Sequence, residues 1–329
     1  MHAFILAGGF ATRLWPLTES RPKPLLPVAG KPILTHLVEQ IPAGMPITVS
    51  TNAAFAEAFH KWKIEMRNAK CEIQILIEDT RADDHKLGAL GAVAQWIADA
   101  AIDEDVLLLT GDNYIGCSMS AFIGSYREGT TLLAAHDIGD RERAKQFGTV
   151  IAQQISKPAN QQTNIPVHSF EEKPENPKST LVSTGCSILP RTVLPILVEF
   201  AKSHPDNVGG IFEELRRRNL PVEAFVFSEA WFDIGSFESY LAATRSIVGE
   251  HVIAGEGSTR EGGSTRGSVV MGKGCRLRNA NVENVVLFDG CTLQDCDVSD
   301  CICDDGCIIR GIDLRGKMLR RNTHLAREN

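Results

Sequence analysis

Long hydrophobic runs are missing from this 329-residue sequence, in which no apolar stretch approaches the roughly 18 residues of a membrane-spanning helix. The N-terminus also lacks a charged segment followed by an apolar one, which is the pattern of a secretory signal. These absences argue against a membrane-spanning or secreted class, and we expect a cytoplasmic protein with no membrane partner.

Positive charge is also in short supply. The 34 Lys and Arg residues are outnumbered by 41 Asp and Glu residues, which leaves a formal net charge of −7. Proteins that bind nucleic acids present an excess of basic residues to phosphate, so this balance argues against a nucleic-acid partner. Nine cysteines occur at uneven spacing without a secretory signal, which argues against a disulfide framework.

Two familiar phosphate-binding motifs are absent, since GxxxxGK(S/T) does not occur and GxGxxG lacks its third glycine after Gly8 and Gly9. The chain has instead an apolar segment, His2 to Ala7, that is typical of a strand buried on both faces and that stops at the two glycines. Glycines at this point let backbone N–H groups face a ligand without an intervening Cβ.

Four cations follow the glycines against a single acid, Glu19, and so oppose the negative charge of the whole chain. They are Arg13, Arg21, Lys23 and Lys31. Glycines at the C-terminal end of a strand, with cations beyond them, suit a polyphosphate ligand.

The run from Leu6 to Leu34 resembles the signature of the sugar-1-phosphate nucleotidyltransferases, the NDP-sugar pyrophosphorylases, which is roughly LAGGxGTRLxPLTxxxPKPLLPVxGKPI. One position departs from it: Ala11 stands where the family usually has glycine, and alanine tolerates a positive φ angle poorly. The resemblance implies catalytic roles for Arg13 and Lys23. It also implies a nucleotide-binding site formed by these two cations together with Leu6, Ala7, Gly8 and Gly9.

Beyond this loop, predicted strands alternate with predicted helices as far as residue 110. The predicted helices are Ile33 to Gln40, Ala53 to Met66 and Gly88 to Ala100, and the predicted strands are Ile47 to Ser50, Glu72 to Ile77 and Asp105 to Thr110. This alternation is typical of βαβ units and predicts an α/β fold with a doubly wound, mostly parallel, Rossmann-like sheet. Ligands of such a sheet bind beyond the C-terminal ends of its strands.

The resemblance extends to the elements around the nucleotide and its metal. Gly88 begins a glycine-rich segment that in the family lies against the base and ribose. Asp112 follows a hydrophobic strand and Asp233 lies in a Trp-Phe-Asp-Ile-Gly segment, and the family binds its metal with the acids at these two positions. The resemblance therefore implies Mg²⁺, which prefers one or two carboxylates plus phosphate oxygens. The alternative is that each acid only caps a turn or a helix.

Short predicted strands separated by polar, proline-bearing loops follow residue 126 and predict a sugar-binding half. The segment from Phe170 to Pro174 matches the FEEKP motif of the family, and the resemblance implies that Glu172 accepts hydrogen bonds from the sugar while Lys173 neutralises its phosphate. It likewise places Gly148 and Gly185 at the sugar phosphate. The alternative for the Glu–Lys pair is a surface ion pair of negligible energy.

The C-terminal part of the chain repeats every sixteen residues, with Met271–Cys275, Leu287–Cys291 and Cys303–Cys307 in alignment. Three inward positions per repeat predict a triangular coil, a left-handed parallel β-helix of the hexapeptide type, which long members of the same family also carry. The predicted domains are a catalytic domain (1–248), a linker or irregular first coil (249–267) and the β-helix (268–329). A short solenoid leaves an open end, which favours a homo-oligomer.

Clustered cysteines in this repeat, Cys296, Cys301, Cys303 and Cys307, are close enough in sequence to raise the alternative of a metal or iron–sulfur site. The sixteen-residue period, however, places each cysteine in a column of small or apolar inward residues. We therefore expect buried free thiols that pack the coil.

The reaction implied by the resemblance joins a nucleoside triphosphate and a sugar 1-phosphate into an NDP-sugar and releases pyrophosphate. Glucose or mannose 1-phosphate with dTTP, UTP or GTP all remain open. A non-catalytic regulatory or scaffold paralogue is the main alternative, although the joint presence of the cations and acids named above argues against it. A hexapeptide acyltransferase is a weaker one, because the coil is short and holds no obvious catalytic histidine.

Overall fold

The computed structural model describes residues 1–9, 11–79, 87–152 and 163–327 of the chain. The chain packs as two compact units, of which the first comprises Met1–Gly9 and Leu37–Trp231 and the second comprises Phe10–His36 and Phe232–Asn329. The signature run is therefore divided, since its strand belongs to the first unit and its cationic loop to the second. These two units do not test the division into three domains that the sequence predicts, and that division stays a proposal.

The regular elements before residue 249 are mostly those of an α/β protein. The strands are β1 (His2–Leu6), β2 (Pro27–Val28), β3 (Lys31–Pro32), β4 (Ile47–Asn52), β5 (Ile73–Glu78), β6 (Val106–Thr110), β7 (Asn113–Ile115), β8 (Thr131–Asp137), β9 (Gly148–Ala152), β10 (Thr163–Glu172), β11 (Leu181–Leu189), β12 (Val222–Phe227) and β13 (Trp231–Asp233). The α-helices are α1 (Ile33–Gln40), α2 (Ala56–Glu65), α3 (Ala89–Asp99), α4 (Met119–Gly124), α5 (Arg141–Ala144), α6 (Leu194–Ala201), α7 (Gly210–Arg217) and α8 (Phe237–Val248). Short 3₁₀ helices are Thr12–Leu14, Lys23–Leu25, Met66–Asn68 and Arg191–Val193.

In the described part of the chain, nine strands form one sheet in the order β5-β4-β1-β6-β11-β8-β12-β10-β9. The strands β5, β4, β1 and β6 run parallel to one another, as β12 does to β8, and only β10 and β11 run in the opposite direction. The mostly parallel, Rossmann-like sheet is thus confirmed. Its order reverses at β1, which has β4 on one side and β6 on the other, and ligands of such sheets bind beyond the strand ends at that reversal.

The position of β1 at the centre of the sheet follows from its composition. Ala3, Phe4 and Ile5 are completely buried, as expected for a strand without alternating polar residues. The ring of Phe4 packs on Trp96 of α3 with 4.5 Å between ring centroids. Burying a side chain of this size stabilises the fold by about 1.5–3 kcal/mol, which holds the glycine-ended strand firmly in place.

The C-terminal strands form a solenoid. They are β14 (Val252–Ala254), β15 (Thr259–Glu261), β16 (Ser264–Met271), β17 (Arg276–Arg278), β18 (Asn281–Leu287), β19 (Thr292–Gln294), β20 (Asp297–Cys303), β21 (Ile308–Arg310), β22 (Leu314–Arg315), β23 (Met318–Leu319) and β24 (His324–Ala326). Parallel pairing joins Val282 to Val298 and Leu293 to Ile309, which is the predicted sixteen-residue period. The left-handed sense of the coil stays a prediction.

The first coil of the solenoid is irregular. Val252 pairs with Val269 at an offset of seventeen residues, and the offset returns to sixteen after a bulge in β16 between Arg266 and Val269. Of the two interpretations of residues 249–267, linker or irregular first coil, the pairing supports the coil. One extra residue in β16, accommodated at Gly267 with its positive φ of 58°, accounts for the change of period.

The cysteine columns of the solenoid are packed as the period predicts. Cys275, Cys291 and Cys307 are completely buried, and their thiols donate to the carbonyls of Phe288, Asp304 and Arg320, each thirteen residues further on. All nine cysteines of the chain are free. In the described residues, no helix is long and apolar enough to cross a membrane.

Candidate functional site

The end of β1 is tied to the ends of β4 and β5 in the first unit. Asn52 donates its side-chain N–H to the carbonyl of Gly8 at 2.8 Å, and Ser50 donates to the Glu78 carboxylate at 2.6 Å. A Cβ at Gly8 would lie 3.3 Å from that carboxylate. Burial raises the pKa of Glu78. A half-buried acid therefore lies directly beside the glycine turn, where the sequence analysis assigned only Leu6, Ala7, Gly8 and Gly9.

Ala11 keeps the turn that glycine usually makes. Its backbone is left-handed, with φ 47° and ψ 47°, and its carbonyl accepts from the Thr18 hydroxyl at 2.9 Å and from the backbone N–H of Leu14 at 3.2 Å. Left-handed geometry costs a residue with a Cβ roughly 1–2 kcal/mol. The loop thus adopts this conformation in spite of the substitution.

The cations of the loop meet the second acid within the second unit. The ammonium of Lys23 lies 3.2 Å from the carboxylate of Asp233, although Lys23 is only 6% exposed. The guanidinium of Arg13 approaches the same place, since a Cβ at Gly235 would lie 3.9 Å from its Nη2 and 3.7 Å from the Asp233 carboxylate. Three residues singled out from the sequence therefore come together across about 220 positions of chain.

The first acid, Asp112, lies at the end of β6 in the first unit. Asn113 donates its side-chain amide to Asp112 and to the Thr110 hydroxyl, both at 2.8 Å, and it accepts from the indole of Trp231 at 2.9 Å. Gly111 lets this turn approach β1, because a Cβ there would lie 3.0 Å from the Leu6 carbonyl. Asn113 was not assigned a role from the sequence, and the amide directly after Asp112 was the signal that could have found it.

The sugar-side residues Gly148, Glu172 and Lys173 also come together. The Glu172 carboxylate packs against Gly148 and Gly209 so closely that a Cβ at either glycine would collide with it. Burial raises the pKa of Glu172, the nearby Lys173 ammonium at 3.7 Å opposes this, and the Glu213 carboxylate adds to it. Lys173 itself is 65% exposed and has a positive φ of 46°. The pair is therefore a partly buried acid with an accessible cation.

Gly185 and Gly88 lie elsewhere in the first unit. A side chain at Gly185, whose φ is 73°, would collide with Thr110 at the end of β6, so this glycine lies on the Asp112 side. Gly88 precedes α3 and packs against the backbone of Pro205, whose carbonyl accepts from the first N–H groups of that helix at 2.7 and 3.0 Å. The glycine-rich segment is thus supported by the loop before α7.

Asp112 lies in the first unit and Asp233 in the second, and each is a single carboxylate. Across the described ranges, no cluster of three or more His, Cys, Asp or Glu residues could hold a metal ion without other ligands. Asp233 is one-third exposed. Mg²⁺ prefers one or two carboxylates with phosphate oxygens and water as the remaining ligands, so each acid taken by itself has the chemistry of a magnesium ligand.

Comparison with known proteins gives a family. A model described as Nucleotidyl transferase matches residues 2–249. The chain is 24% identical over 293 residues to a mannose-1-phosphate guanylyltransferase of Mycobacterium tuberculosis, covering 84% of this chain and 76% of that protein. It is 27% identical over 290 residues to a glucose-1-phosphate thymidylyltransferase of Streptomyces antibioticus, covering 86% and 76%.

The chain is also 23% identical over 282 residues to the bifunctional protein GlmU of Methanocaldococcus jannaschii, covering 83% of this chain and only 61% of that protein. Among solved structures, UDP-glucose pyrophosphorylase complexed with UDP-glucose matches with a TM-score of 0.59 and 18% identity, over 75% of this chain and 97% of that one. A Bacillus anthracis structure with bound sucrose matches with a TM-score of 0.62 and 21% identity, over 74% and 94%. Because the sequence identities of these two structures are below 25%, their match establishes a shared fold and no more.

The left-handed geometry of Ala11 predicts that Ala11→Gly stabilises the protein. Glycine relieves the strain and loses more conformational freedom on folding, so the net gain should be roughly 1 kcal/mol. Urea unfolding measures it. The matched control is Ala29→Gly, which relieves a positive φ of 50° elsewhere in the loop. A destabilised Ala11→Gly variant would contradict the strained turn.

Because the pKa of Glu172 is raised, its contribution to the free energy of unfolding should depend on pH. Between its ordinary pKa of 4.5 and the raised value, the folded protein binds more protons than the unfolded chain, so this group lowers stability as pH rises. Glu172→Gln should therefore gain stability over wild type at neutral pH and lose that advantage at acidic pH. Thermal unfolding from pH 4 to pH 8 measures this, with the exposed Glu142→Gln as control; an advantage that does not depend on pH would refute it.

Proposed function

The chain belongs to the nucleotidyl transferase family, and from that premise we propose that it transfers a nucleoside monophosphate from a nucleoside triphosphate to a hexose 1-phosphate, giving an NDP-sugar and pyrophosphate. The observation that carries the proposal is the meeting of Arg13 and Lys23 with Asp233 in one unit. A buried cation beside an acid and a second, accessible cation form a site for phosphate groups, which a purely structural loop does not need.

The chemistry requires positioning and charge neutralisation more than proton transfer. A phosphate oxygen of the sugar attacks the α-phosphorus of the nucleotide in line, and neither it nor the leaving pyrophosphate needs a proton moved. We propose that Lys23 neutralises the α-phosphate and that Arg13 holds the leaving pyrophosphate with its planar set of donors. On the sugar side, Lys173 holds the incoming phosphate and Glu172 accepts from the ring hydroxyls.

The metal ligands in this proposal are Asp112 and Asp233. Members of the family generally use a divalent metal, and Mg²⁺ is the ion that the carboxylates suit. When bound, it neutralises charge on the reacting phosphates. The side chain of Asn113 supports the role of Asp112, because its hydrogen bonds hold that carboxylate in one orientation at the end of β6.

The nucleotide side of the proposal comprises Leu6, Ala7, Gly8, Gly9 and Gly88. To these we add Glu78 as a residue that selects the base. A carboxylate only accepts hydrogen bonds when ionised, and guanine presents two N–H donors on one edge, whereas uracil and thymine present one. We therefore propose GTP ahead of dTTP or UTP. The similarity to a mannose-1-phosphate guanylyltransferase is compatible with this order, and the sugar, glucose or mannose, remains for experiment.

The test is pyrophosphate release with ATP, GTP, UTP, CTP and dTTP, each against glucose, mannose and N-acetylglucosamine 1-phosphates. Turnover of one combination above the others supports the proposal. No turnover with any combination, for a folded protein supplied with Mg²⁺, would favour the non-catalytic paralogue instead. Self-association through the open end of the solenoid also stays a prediction.

Loss of a catalytic charge should lower turnover strongly without unfolding the protein. We expect Lys23→Met and Asp112→Asn each to lower kcat by about 10²–10³, since each removes one preorganised electrostatic contact with the reacting phosphates. The control is Lys145→Ala, which removes a half-exposed lysine paired with Glu142 on α5. Wild-type rates in either variant would remove that residue from the mechanism.

The proposed base contact makes Glu78→Gln a specificity variant. Replacing a charged acceptor by a neutral amide should lower kcat/KM for GTP by ~10-fold or more and affect UTP and dTTP less. The control is Glu72→Gln, an exposed acid just before the opposite end of β5. An equal loss with every nucleotide would assign Glu78 a structural role only.

A further inference from the structure

Two successive coils of the solenoid hold the cationic loop at Arg21. The guanidinium of Arg21 donates to the Asp305 carboxylate at 2.7 Å, lies 4.0 Å from the Asp304 carboxylate, and is 4.9 Å from the centroid of the Phe288 ring. All of these residues belong to the second unit. An arginine that meets two carboxylates and an aromatic face at once is restrained in every direction.

A second contact between the solenoid and the same loop lies six residues earlier in the loop, and its solenoid partner, Arg320, belongs to the coil that follows Asp304 and Asp305. The guanidinium of Arg320 is 4.8 Å from the centroid of the Trp15 ring, and its Nε lies 3.1 Å from the Glu19 carboxylate. Trp15 is 52% exposed, and the guanidinium of Arg320 lies over its ring. The loop is thus fixed at two points on either side of Ser20.

The anchor on the solenoid side is itself rigid. The Asp305 carboxylate accepts the backbone N–H of Asp289 from the preceding coil at 3.1 Å and pairs with Arg321. Asp304 is only 4% exposed, and burial raises its pKa. Exposed ion pairs contribute little because both side chains must be ordered. Here the carboxylates are ordered by the coil before the loop arginine reaches them.

The restraint at Arg21 is transmitted over a short, stiff connection. Pro22 and Pro24 flank Lys23, and each proline fixes its own φ and restricts the residue before it. Lys23 also begins a 3₁₀ helix, and Pro22 precedes it in extended geometry. The position of Arg21 therefore restricts where the backbone of Lys23 lies, two residues away, and Asp233 holds the ammonium at 3.2 Å.

We propose that the solenoid positions Lys23 for catalysis through Asp304, Asp305 and Arg320, with Arg21 as the positioning residue and with Arg320 holding the segment from Trp15 to Glu19. This inference rests on the proposed function, because it assigns the solenoid a role in that reaction. The solenoid contributes no group to the chemistry. It sets the distance between a catalytic cation and the phosphates.

The chain offers matched controls for each contact. Asp300, like Asp305, is a partly exposed solenoid aspartate in an ion pair, yet its partner is Arg245 of α8 at 2.5 Å and not a loop residue. Arg315 pairs with Asp300 within the solenoid, so it serves as the matched control for Arg320. The informative variants are therefore Asp305→Asn against Asp300→Asn, and Arg320→Ala against Arg315→Ala.

Two measurements on the full-length protein test the proposal. Hydrogen–deuterium exchange of residues 11–26 reports the restraint of the loop without any activity. We expect faster exchange there in Asp305→Asn and Arg320→Ala but not in the controls. In steady-state kinetics, the same two variants should lose about tenfold in kcat, the size of effect that a displaced catalytic group produces, with little change in KM for the nucleotide. Arg21→Lys, which keeps the charge, should lose less than Arg21→Ala.

The outcomes separate this inference from the proposed function. Exchange and kcat equal to those of the controls would overturn it. Faster exchange with unchanged kcat would also overturn it, because the coil would then restrain the loop without positioning Lys23. If wild type turns over no substrate, the proposed function fails, and the exchange comparison still decides whether the solenoid holds the loop.

Discussion

A nearly buried ammonium needs a carboxylate close by, and the pairing of Lys23 with Asp233 meets this requirement at 3.2 Å. The cationic loop and the segment after Trp231 must therefore fold together, although more than two hundred residues separate them. The rest of the second unit supports this contact. The hydroxyl of Tyr240 on α8 donates to the carbonyl of Pro27, and the solenoid holds Arg21. Burying both charges of such an ion pair carries a desolvation penalty, so the pair depends on the surrounding contacts for its stability.

Both units contain locally unfavourable features. Ala11 and Lys173 have left-handed backbones, and Glu172 is an acid whose charge is disfavoured by burial. Each of these lowers stability, and the buried strand β1 and the apolar interior of the solenoid compensate. Backbone strain and buried charge are typical of functional sites, where the surrounding structure holds residues in conformations that they do not prefer by themselves.

Helices and strands were predictable where the hydrophobic pattern of the sequence extended over enough residues. Ile33–Gln40 has the predicted limits, and Ala89–Asp99 and Val106–Thr110 differ from theirs by one residue at one or both ends. The helix expected from Ala53 begins at Ala56 instead, because the side chain of Asn52 accepts the backbone N–H of Phe55 and closes a turn first. The sixteen-residue repeat was equally clear from sequence, since every coil must place an apolar residue at the same inward position.

The sequence identified residues of the candidate site but not how they are arranged. Its motifs identified Arg13, Lys23 and Asp233 separately, because only certain residue types can bind phosphates or a metal. Glu78 and Asn113 had no such signature, because an acid or amide at the end of a strand has many uses until its neighbours are known. Contacts between distant segments decide which of the two compact units each residue joins. They also place Gly185 against Thr110, and Arg21 against Asp305. Sequence periodicity determines elements because it reflects each residue's own neighbours along the chain, whereas the partners of a buried charge are decided only when the whole chain has packed.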